Sequence, residues 1–114
     1  MYDTENIFAK IIRGEIPSSK IYEDEYLLAI KDVNPVAPIH ILVIPKGEYR
    51  DFHEFSQRAK SSELAHYFKK ISDIAKDQGV SEYRIVSNTG SASGQTVFHF
   101  HTHIISGSSF SRLI

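Results

Sequence analysis

Residues 97–105 read Val97-Phe98-His99-Phe100-His101-Thr102-His103-Ile104-Ile105. In this stretch every second residue from 99 to 103 is a histidine, and this alternation predicts a β-strand. Successive side chains on a strand point to opposite faces, which separates the histidines from the apolar residues. The first face carries His99, His101 and His103, and the second carries Phe98, Phe100 and Ile104. Same-face neighbours stand about 6.5 to 7 Å apart, so three imidazoles can share one phosphate and its leaving group.

Nucleophilic catalysis is the chemistry that this cluster favours. A histidine with a pKa of about 6.5 is largely neutral at pH 7, and one of its ring nitrogens can attack phosphorus. The other ring nitrogen must then be held as a hydrogen-bond donor, by a backbone carbonyl or a neighbouring histidine. A third ring can protonate the leaving group.

Zinc binding is the main alternative, because two histidines two residues apart on a strand can share one ion. The chain has no cysteine to complete a tetrahedral set, and no Asp or Glu follows Glu82. We therefore expect catalysis without a metal or other cofactor.

The segment before the triplet contains candidate phosphate-binding groups. Backbone amides of the loop from Gly90 to Gly94, together with Asn88, Gln95 and Thr96, can donate to phosphate oxygens. An ordinary hairpin turn is the alternative interpretation of this loop.

Four other segments have the composition of strands, and they suggest a sheet of about five strands with the triplet. The predicted strands are Lys20 to Tyr22, Tyr26 to Lys31, His40 to Ile44 and Tyr83 to Asn88. The first two form a hairpin, and the third is a buried, central strand closed by Pro45.

Two segments have helical spacing of apolar residues. The main helix is predicted from Ser61 to Gln78, with Ser61 or Ser62 as its cap. A short amphipathic helix capped by Thr4 ends at Gly14. The fold class is therefore α+β, with the main helix on one face of an antiparallel sheet.

Length and composition exclude several classes of protein. At 114 residues, 41% hydrophobic and 24% charged, the chain fits one globular domain, residues 1–114. Its net charge of -1 gives no overall attraction to nucleic acid or anionic lipid. The apolar run from Ile39 to Pro45 is too short to span a bilayer, and the start from Met1 to Asn6 does not resemble a secretory signal. We expect a soluble, cytoplasmic protein.

The segment from Gly94 to Ile105 resembles the His-x-His-x-His motif of the histidine triad (HIT) superfamily. The resemblance extends through Ile7 to Ile12, Glu15 to Pro17 and Asp32 to Pro45, and it points to the Hint branch of purine nucleoside phosphoramidases. It implies a HIT-like fold and a homodimer with a continuous sheet.

The resemblance also implies roles for individual residues. His101 corresponds to the nucleophile, His99 and His103 to orienting and leaving-group residues, and His40 to an additional active-site histidine. Asp32 corresponds to the acid that contacts the ribose. The apolar residues around the base correspond to Ile7, Phe8, Ile11, Ile30 and Val33, and Asn88, Gln95 and Thr96 to residues near the phosphate.

Three departures from the family pattern stand out: Ser93 replaces a usual glycine, Thr102 replaces an apolar residue, and the tail after His103 is short. Thr102 is expected to face the core, where it affects packing and not chemistry. The short tail bears on leaving-group preference, because longer tails in the family approach the partner subunit's site.

The implied reaction is hydrolysis of a purine nucleoside 5'-phosphoramidate or acyl nucleotide through a nucleotidyl-His101 intermediate, with an AMP-like ligand. One alternative is hydrolysis or phosphorolysis of dinucleoside polyphosphates, although Arg84 is the only Lys or Arg between Glu82 and Ile105. Another is a nucleotide-binding interaction or sensor protein whose hydrolysis is incidental.

Overall fold

The computed structural model describes residues 1–107, so the end of the tail, residues 108–114, lies outside the described part of the chain. A five-stranded antiparallel sheet has the order β1-β2-β3-β5-β4. The strands are β1 (Lys20–Glu23), β2 (Leu27–Lys31), β3 (Ile39–Pro45), β4 (Arg84–Val86) and β5 (Thr102–Ser106). The helices are α1 (Ile7–Ile12), α2 (Phe52–Arg58) and α3 (Ser61–Asp77), with a short 3-10 turn at Ser91–Ser93. The predicted α+β class is confirmed.

The two faces of the sheet carry different cores. The larger core lies under α2 and α3, and in it the rings of Phe55, Tyr67 and Phe100 contact one another. The Tyr67 hydroxyl donates to the Val43 carbonyl at 2.8 Å and lies 2.9 Å from Thr102 Oγ1. Thr102 thus faces the core, as predicted. Its hydroxyl is satisfied there, so burying this polar residue carries little desolvation penalty.

A smaller apolar cluster covers the opposite face beside α1. It consists of Phe8, Ile11, Leu28, Ile30, Leu42 and Ile44. The β3–β5 register sets Leu42 opposite His103 and His40 opposite Ile105. This pairing positions two of the predicted site histidines on the α1 face of the two central strands.

The last strand begins at Thr102 and not at Val97 as predicted. The Phe100 amide donates to the Tyr49 carbonyl at 2.7 Å, and the Pro45 carbonyl accepts from the His99 ring at 2.7 Å. Those two groups are therefore unavailable for a continued β3–β5 ladder, and proline has no amide to donate. His99 and His101 lie in an extended but bent segment that leads into β5.

Several helix and strand boundaries in the structure also differ from the predicted ones. Asn6, and not Thr4, caps α1, because its Oδ1 accepts from the Ala9 amide at 2.9 Å. Lys60 precedes α3 and makes no side-chain cap, so neither Ser61 nor Ser62 has the predicted capping role. β4 covers three residues, Arg84–Val86, fewer than predicted.

The helix α2 was missed by the sequence analysis. Its N-terminal signal is the pair Asp51 and Glu54, an acidic cap residue followed three positions later by Glu. Asp51 Oδ1 accepts from the Glu54 amide at 2.9 Å, and Glu54 Oε1 accepts from the Arg50 amide at 3.0 Å. Among residues 1–107, no helix is long and apolar enough to cross a bilayer.

Candidate active site

His101 is held with one ring nitrogen free. Its Nδ1 lies 2.8 Å from the His99 carbonyl oxygen, which can only accept, so Nδ1 carries the proton. In the neutral ring Nε2 then has an unshared electron pair. Burial lowers the pKa of His101 below its usual value, and this favours the neutral ring at pH 7.

His99 has no free ring nitrogen, because both of its nitrogens make hydrogen bonds within the protein. Nε2 donates to the Pro45 carbonyl at 2.7 Å, and Nδ1 lies 2.5 Å from the Tyr2 hydroxyl, which donates to it. The ring is fully buried, and burial lowers its pKa to about 4. His99 therefore acts as a positioning residue, since its backbone carbonyl fixes the His101 ring.

His103 is connected to two residues from distant parts of the chain. Its Nδ1 lies 2.8 Å from His40 Nε2, which is also 3.2 Å from Asp32 Oδ2. His40 Nδ1 accepts from the Val36 amide at 3.1 Å, so Nε2 carries the His40 proton. His103 Nδ1 must therefore accept, and the neutral His103 ring carries its proton on Nε2. Burial, followed by the nearby His101 and His40, lowers the pKa of His103 to about 4.

Asp32 keeps hydrogen-bonding capacity for a ligand. Its Oδ1 accepts from the Asn34 amide at 2.8 Å, and its Oδ2 faces His40. A carboxylate has about four lone-pair sites, so acceptor positions remain on both oxygens. The side chain is 17% exposed, which leaves it within reach of a bound molecule.

A cavity of about 320 Å³ lies between α1 and the sheet, beside His101 and His103. Its lining includes most of the predicted ligand residues, namely Ile7, Phe8, Ile11, Ile30, Asp32, Val33 and Thr96. It also includes residues for which no role was predicted: Ile16, Pro17, Ser18, Lys31, Asn34, Leu42 and Val97. A signal for Leu42 was available, because it lies two residues after His40 and so shares its face of β3.

Asn88 and Gln95 do not line this cavity. Gln95 is buried, and its Oε1 accepts from the Gly90 amide at 2.9 Å. Its Nε2 donates to the carbonyls of Arg50 at 2.7 Å and Val97 at 3.1 Å. All three polar contacts are internal, so in this structure Gln95 orders the loop that carries Thr96.

The loop also needs glycine at position 94. Gly94 has a φ of +96°, a left-handed conformation that is strained for a residue with a Cβ. A Cβ at this position would lie 3.8 Å from Cγ of Asn88. Asn88 is thus packed beside the loop.

A metal ion has one candidate site within the described chain. Ligand atoms of Asp32, His40 and His103 lie within 4.8 Å of one another. The sequence argument that no carboxylate stands near the triplet is therefore wrong in three dimensions, because Asp32 approaches from the end of β2. His40 and His103 share a hydrogen bond between Nε2 and Nδ1, so an ion bound through these two atoms would have to replace that proton.

Comparisons with known proteins agree with this fold. The HIT domain family model matches residues 13–110. A HIT-like protein of Rickettsia prowazekii is 51% identical over 116 residues, covering 100% of this chain and 97% of the relative. The structure of a HIT family hydrolase from Clostridium thermocellum superposes with a TM-score of 0.88 at 40% identity, covering 96% of each chain. The 14 kDa zinc-binding protein of maize is 40% identical over 107 residues, 92% of this chain and 84% of the relative.

The family model that covers residues 13–110 and the HIT family structures that share this fold define the class of this protein. This chain belongs to the HIT domain family. These similarities support a hydrolase of the HIT family as the general kind of protein.

Proposed function

We propose that this protein hydrolyses purine nucleoside 5'-phosphoramidates and acyl nucleotides through a covalent nucleotidyl-His101 intermediate. The observation that carries the proposal is the hydrogen bond from His101 Nδ1 to the His99 carbonyl at 2.8 Å. It leaves Nε2 as the nucleophile in a residue that lines the cavity. The resemblance to the Hint branch supports the same substrate class.

In the first step, the Nε2 electron pair of His101 attacks the α-phosphorus and the bond from phosphorus to the amine nitrogen breaks. The electron pair of that bond goes to the amine, which takes a proton from protonated His103. Bound phosphate, like Asp32, supplies negative charge that favours the protonated His103 ring. The His99 carbonyl stabilises the cationic ring that forms at His101.

In the second step, water attacks the phosphorus of the intermediate. The bond between phosphorus and Nε2 breaks, and its electron pair returns to His101. Neutral His103 takes the proton from the attacking water, which releases AMP and restores the starting protonation state. His103 is therefore the general acid of the first step and the general base of the second, while His101 carries the nucleotidyl group between them.

The cavity matches the parts of a purine nucleotide. Its lining contains apolar side chains such as Ile11, Ile30 and Leu42, which suit a flat base. Asp32 lines the same cavity, and its free acceptor sites can bind the two ribose hydroxyls. Thr96 also lines the cavity, and its hydroxyl can donate to a phosphate oxygen.

We expect turnover of an adenosine phosphoramidate to be independent of metal. Proton transfer and attack are both assigned to histidines, and His40 and His103 are hydrogen-bonded to each other. Steady-state rates measured before and after exhaustive chelation should agree. An inactive metal-free preparation that recovers with zinc would contradict this prediction, and the name of the maize relative makes zinc the first ion to add back.

The same assay separates the alternative functions when diadenosine tetraphosphate is included. Preference for the polyphosphate would favour the dinucleoside polyphosphate reaction. Stoichiometric nucleotide binding without turnover at low enzyme concentration would favour a sensor or interaction protein.

Replacing Asp32 with Ala should weaken binding of AMP by about 10- to 100-fold, the loss expected for a charge-assisted hydrogen bond. Titration calorimetry with AMP and with its 2',3'-dideoxy analogue measures the effect. The loss should be confined to the ribonucleotide, because the analogue lacks both hydroxyls. Asp73→Ala, an exposed position on α3, serves as the control. Equal weakening of both ligands would rule out the sugar contact.

A homodimer with a continuous sheet remains a proposal that rests on the family resemblance. β4 lies at one edge of the sheet, and Ile85 on that strand is 52% exposed. Phe68 on α3 is also exposed. An edge strand with an exposed apolar side chain is a suitable surface for pairing with a second copy.

A further inference from the structure

A second cavity, of about 420 Å³, adjoins the candidate nucleotide site. It is lined by Met1, Asp3, Asn6, Ile7, Arg50, Thr96, Val97 and Phe98. Ile7, Thr96 and Val97 line both cavities, so these three residues form the boundary between them. A group attached to the phosphate at His101 can therefore extend past Thr96 into the second cavity.

Arg50 is the basic side chain that lines this cavity, and it lacks an anionic partner among residues 1–107. Its guanidinium carbon lies 5.8 Å from the centre of the Phe98 ring. Its Nε is buried without a hydrogen-bond acceptor, and no described carboxylate lies within ion-pair distance. A buried, unpaired donor on a charged group is costly, and an anion would relieve that cost.

The backbone of Arg50 is held firmly at this position. Its amide donates to Glu54 Oε1 at 3.0 Å, and its carbonyl accepts from Gln95 Nε2 at 2.7 Å. Gln95 orders the loop that carries Thr96, so Arg50 is linked to the boundary between the two cavities. These bonds hold the Cα of Arg50 at the wall of the second cavity, and the contact with the Phe98 ring orients its guanidinium.

Two other polar side chains of the cavity make hydrogen bonds within the protein. Asn6 uses Oδ1 to cap α1 and Nδ2 to donate to the Asp3 carbonyl at 2.8 Å. Asp3 Oδ1 accepts from the Glu5 amide at 2.9 Å. Asp3 is the acidic residue of the lining, and it makes no ion pair with Arg50. The Arg50 guanidinium is therefore the charged side chain that an anion in this cavity would satisfy.

We propose that the second cavity binds the leaving group, and that Arg50 selects leaving groups that carry an anion such as a carboxylate or a phosphate. The planar guanidinium suits either anion through paired hydrogen bonds. This inference rests on the proposed hydrolysis and adds to it the chemical class of the group released. An amino acid attached through its nitrogen is one leaving group that carries the required charge.

The test uses two pairs of adenosine phosphoramidates that differ by a single anionic group. Phenylalanine is paired with 2-phenylethylamine for the carboxylate, and O-phosphoethanolamine with ethanolamine for the phosphate. The readout is the ratio of kcat/KM within each pair, for wild type and for Arg50→Gln. Loss of the charged contact should lower the ratio on the order of 10-fold for at least one pair. The pair that changes more identifies the preferred anion.

Arg58→Gln is the matched control, because Arg58 also stacks on an aromatic ring but does not line the cavity. General damage to the fold would lower both members of a pair and leave their ratio unchanged. An unchanged ratio in Arg50→Gln, or the same fall in Arg58→Gln, would overturn the proposal. If wild type turns over no phosphoramidate, the proposed hydrolysis fails, and the ratio of Kd values within each pair then decides the subsite by the same criterion.

Discussion

Replacing His101 with Ala is expected to lower turnover of an adenosine phosphoramidate on the order of 10⁴-fold or more, the scale seen when a concerted catalytic unit loses its nucleophile. Binding of AMP should persist, because the apolar wall and Asp32 remain. His101 has this role because the His99 carbonyl leaves its Nε2 free, whereas both nitrogens of His99 are occupied. The loss should therefore appear in kcat and much less in affinity.

The covalent intermediate provides the direct measurement. Rapid acid quenching during turnover, followed by peptide mass analysis, should locate the nucleotidyl group on the peptide that contains His101. His53→Ala, at an exposed histidine on α2, is the matched control and should turn over like wild type. An adduct on another residue, or normal turnover by His101→Ala, would reject the mechanism.

Replacing His103 with Ala is expected to have the second largest effect, a loss of about 10²- to 10⁴-fold for a substrate with an amine leaving group. The amine needs a proton to depart, and His103 Nε2 is the ring nitrogen not used by His40. An acyl nucleotide has a better leaving group, so its turnover should fall much less. Comparing kcat for the two substrates in both proteins measures this difference. Equal losses for both would show that His103 does not act as the proton donor.

The pH dependence gives an independent check on His103. Its pKa in the free protein is lowered to about 4, so the protonated fraction falls about tenfold for each pH unit above that value. His101 has a pKa below its usual value and is already neutral at pH 7. For the amine substrate, kcat/KM should therefore decline as pH rises above 7. The decline should disappear in His103→Ala and be absent for the acyl nucleotide.

The sequence predicted the sheet from patterns that are local. The hairpin of β1 and β2 and the central strand β3 follow from short apolar runs between turn residues, and the structure confirms them. The alternation around the triplet also predicted that one face of the strand carries the histidines and the other faces the core. Phe100 and Thr102 do lie against the core. The start of the last strand was wrong because the partners of Phe100 and His99 are the distant carbonyls of Tyr49 and Pro45.

The resemblance to the HIT family predicted binding roles for Asp32 and for the apolar residues expected around the base. Spacing alone could not place them, since Asp32 and His40 meet His103 across more than 60 residues of sequence. For the same reason, the absence of acidic residues after Glu82 was a poor guide to the surroundings of the triplet. Arg50 also has no local signal that separates it from any other surface arginine.

By itself, the sequence determined which residue types alternate at the centre of the sheet, because strand periodicity is a property of neighbouring residues. Only the tertiary structure decided what each histidine can do. Which ring nitrogen carries the proton depends on its hydrogen-bond partner. His101 uses the nearby His99 carbonyl, whereas the partners of His99 and His103 come from the N-terminal segment and β3. His99 is thereby restricted to positioning, His103 keeps a proton on Nε2, and His101 alone has a free nitrogen for attack.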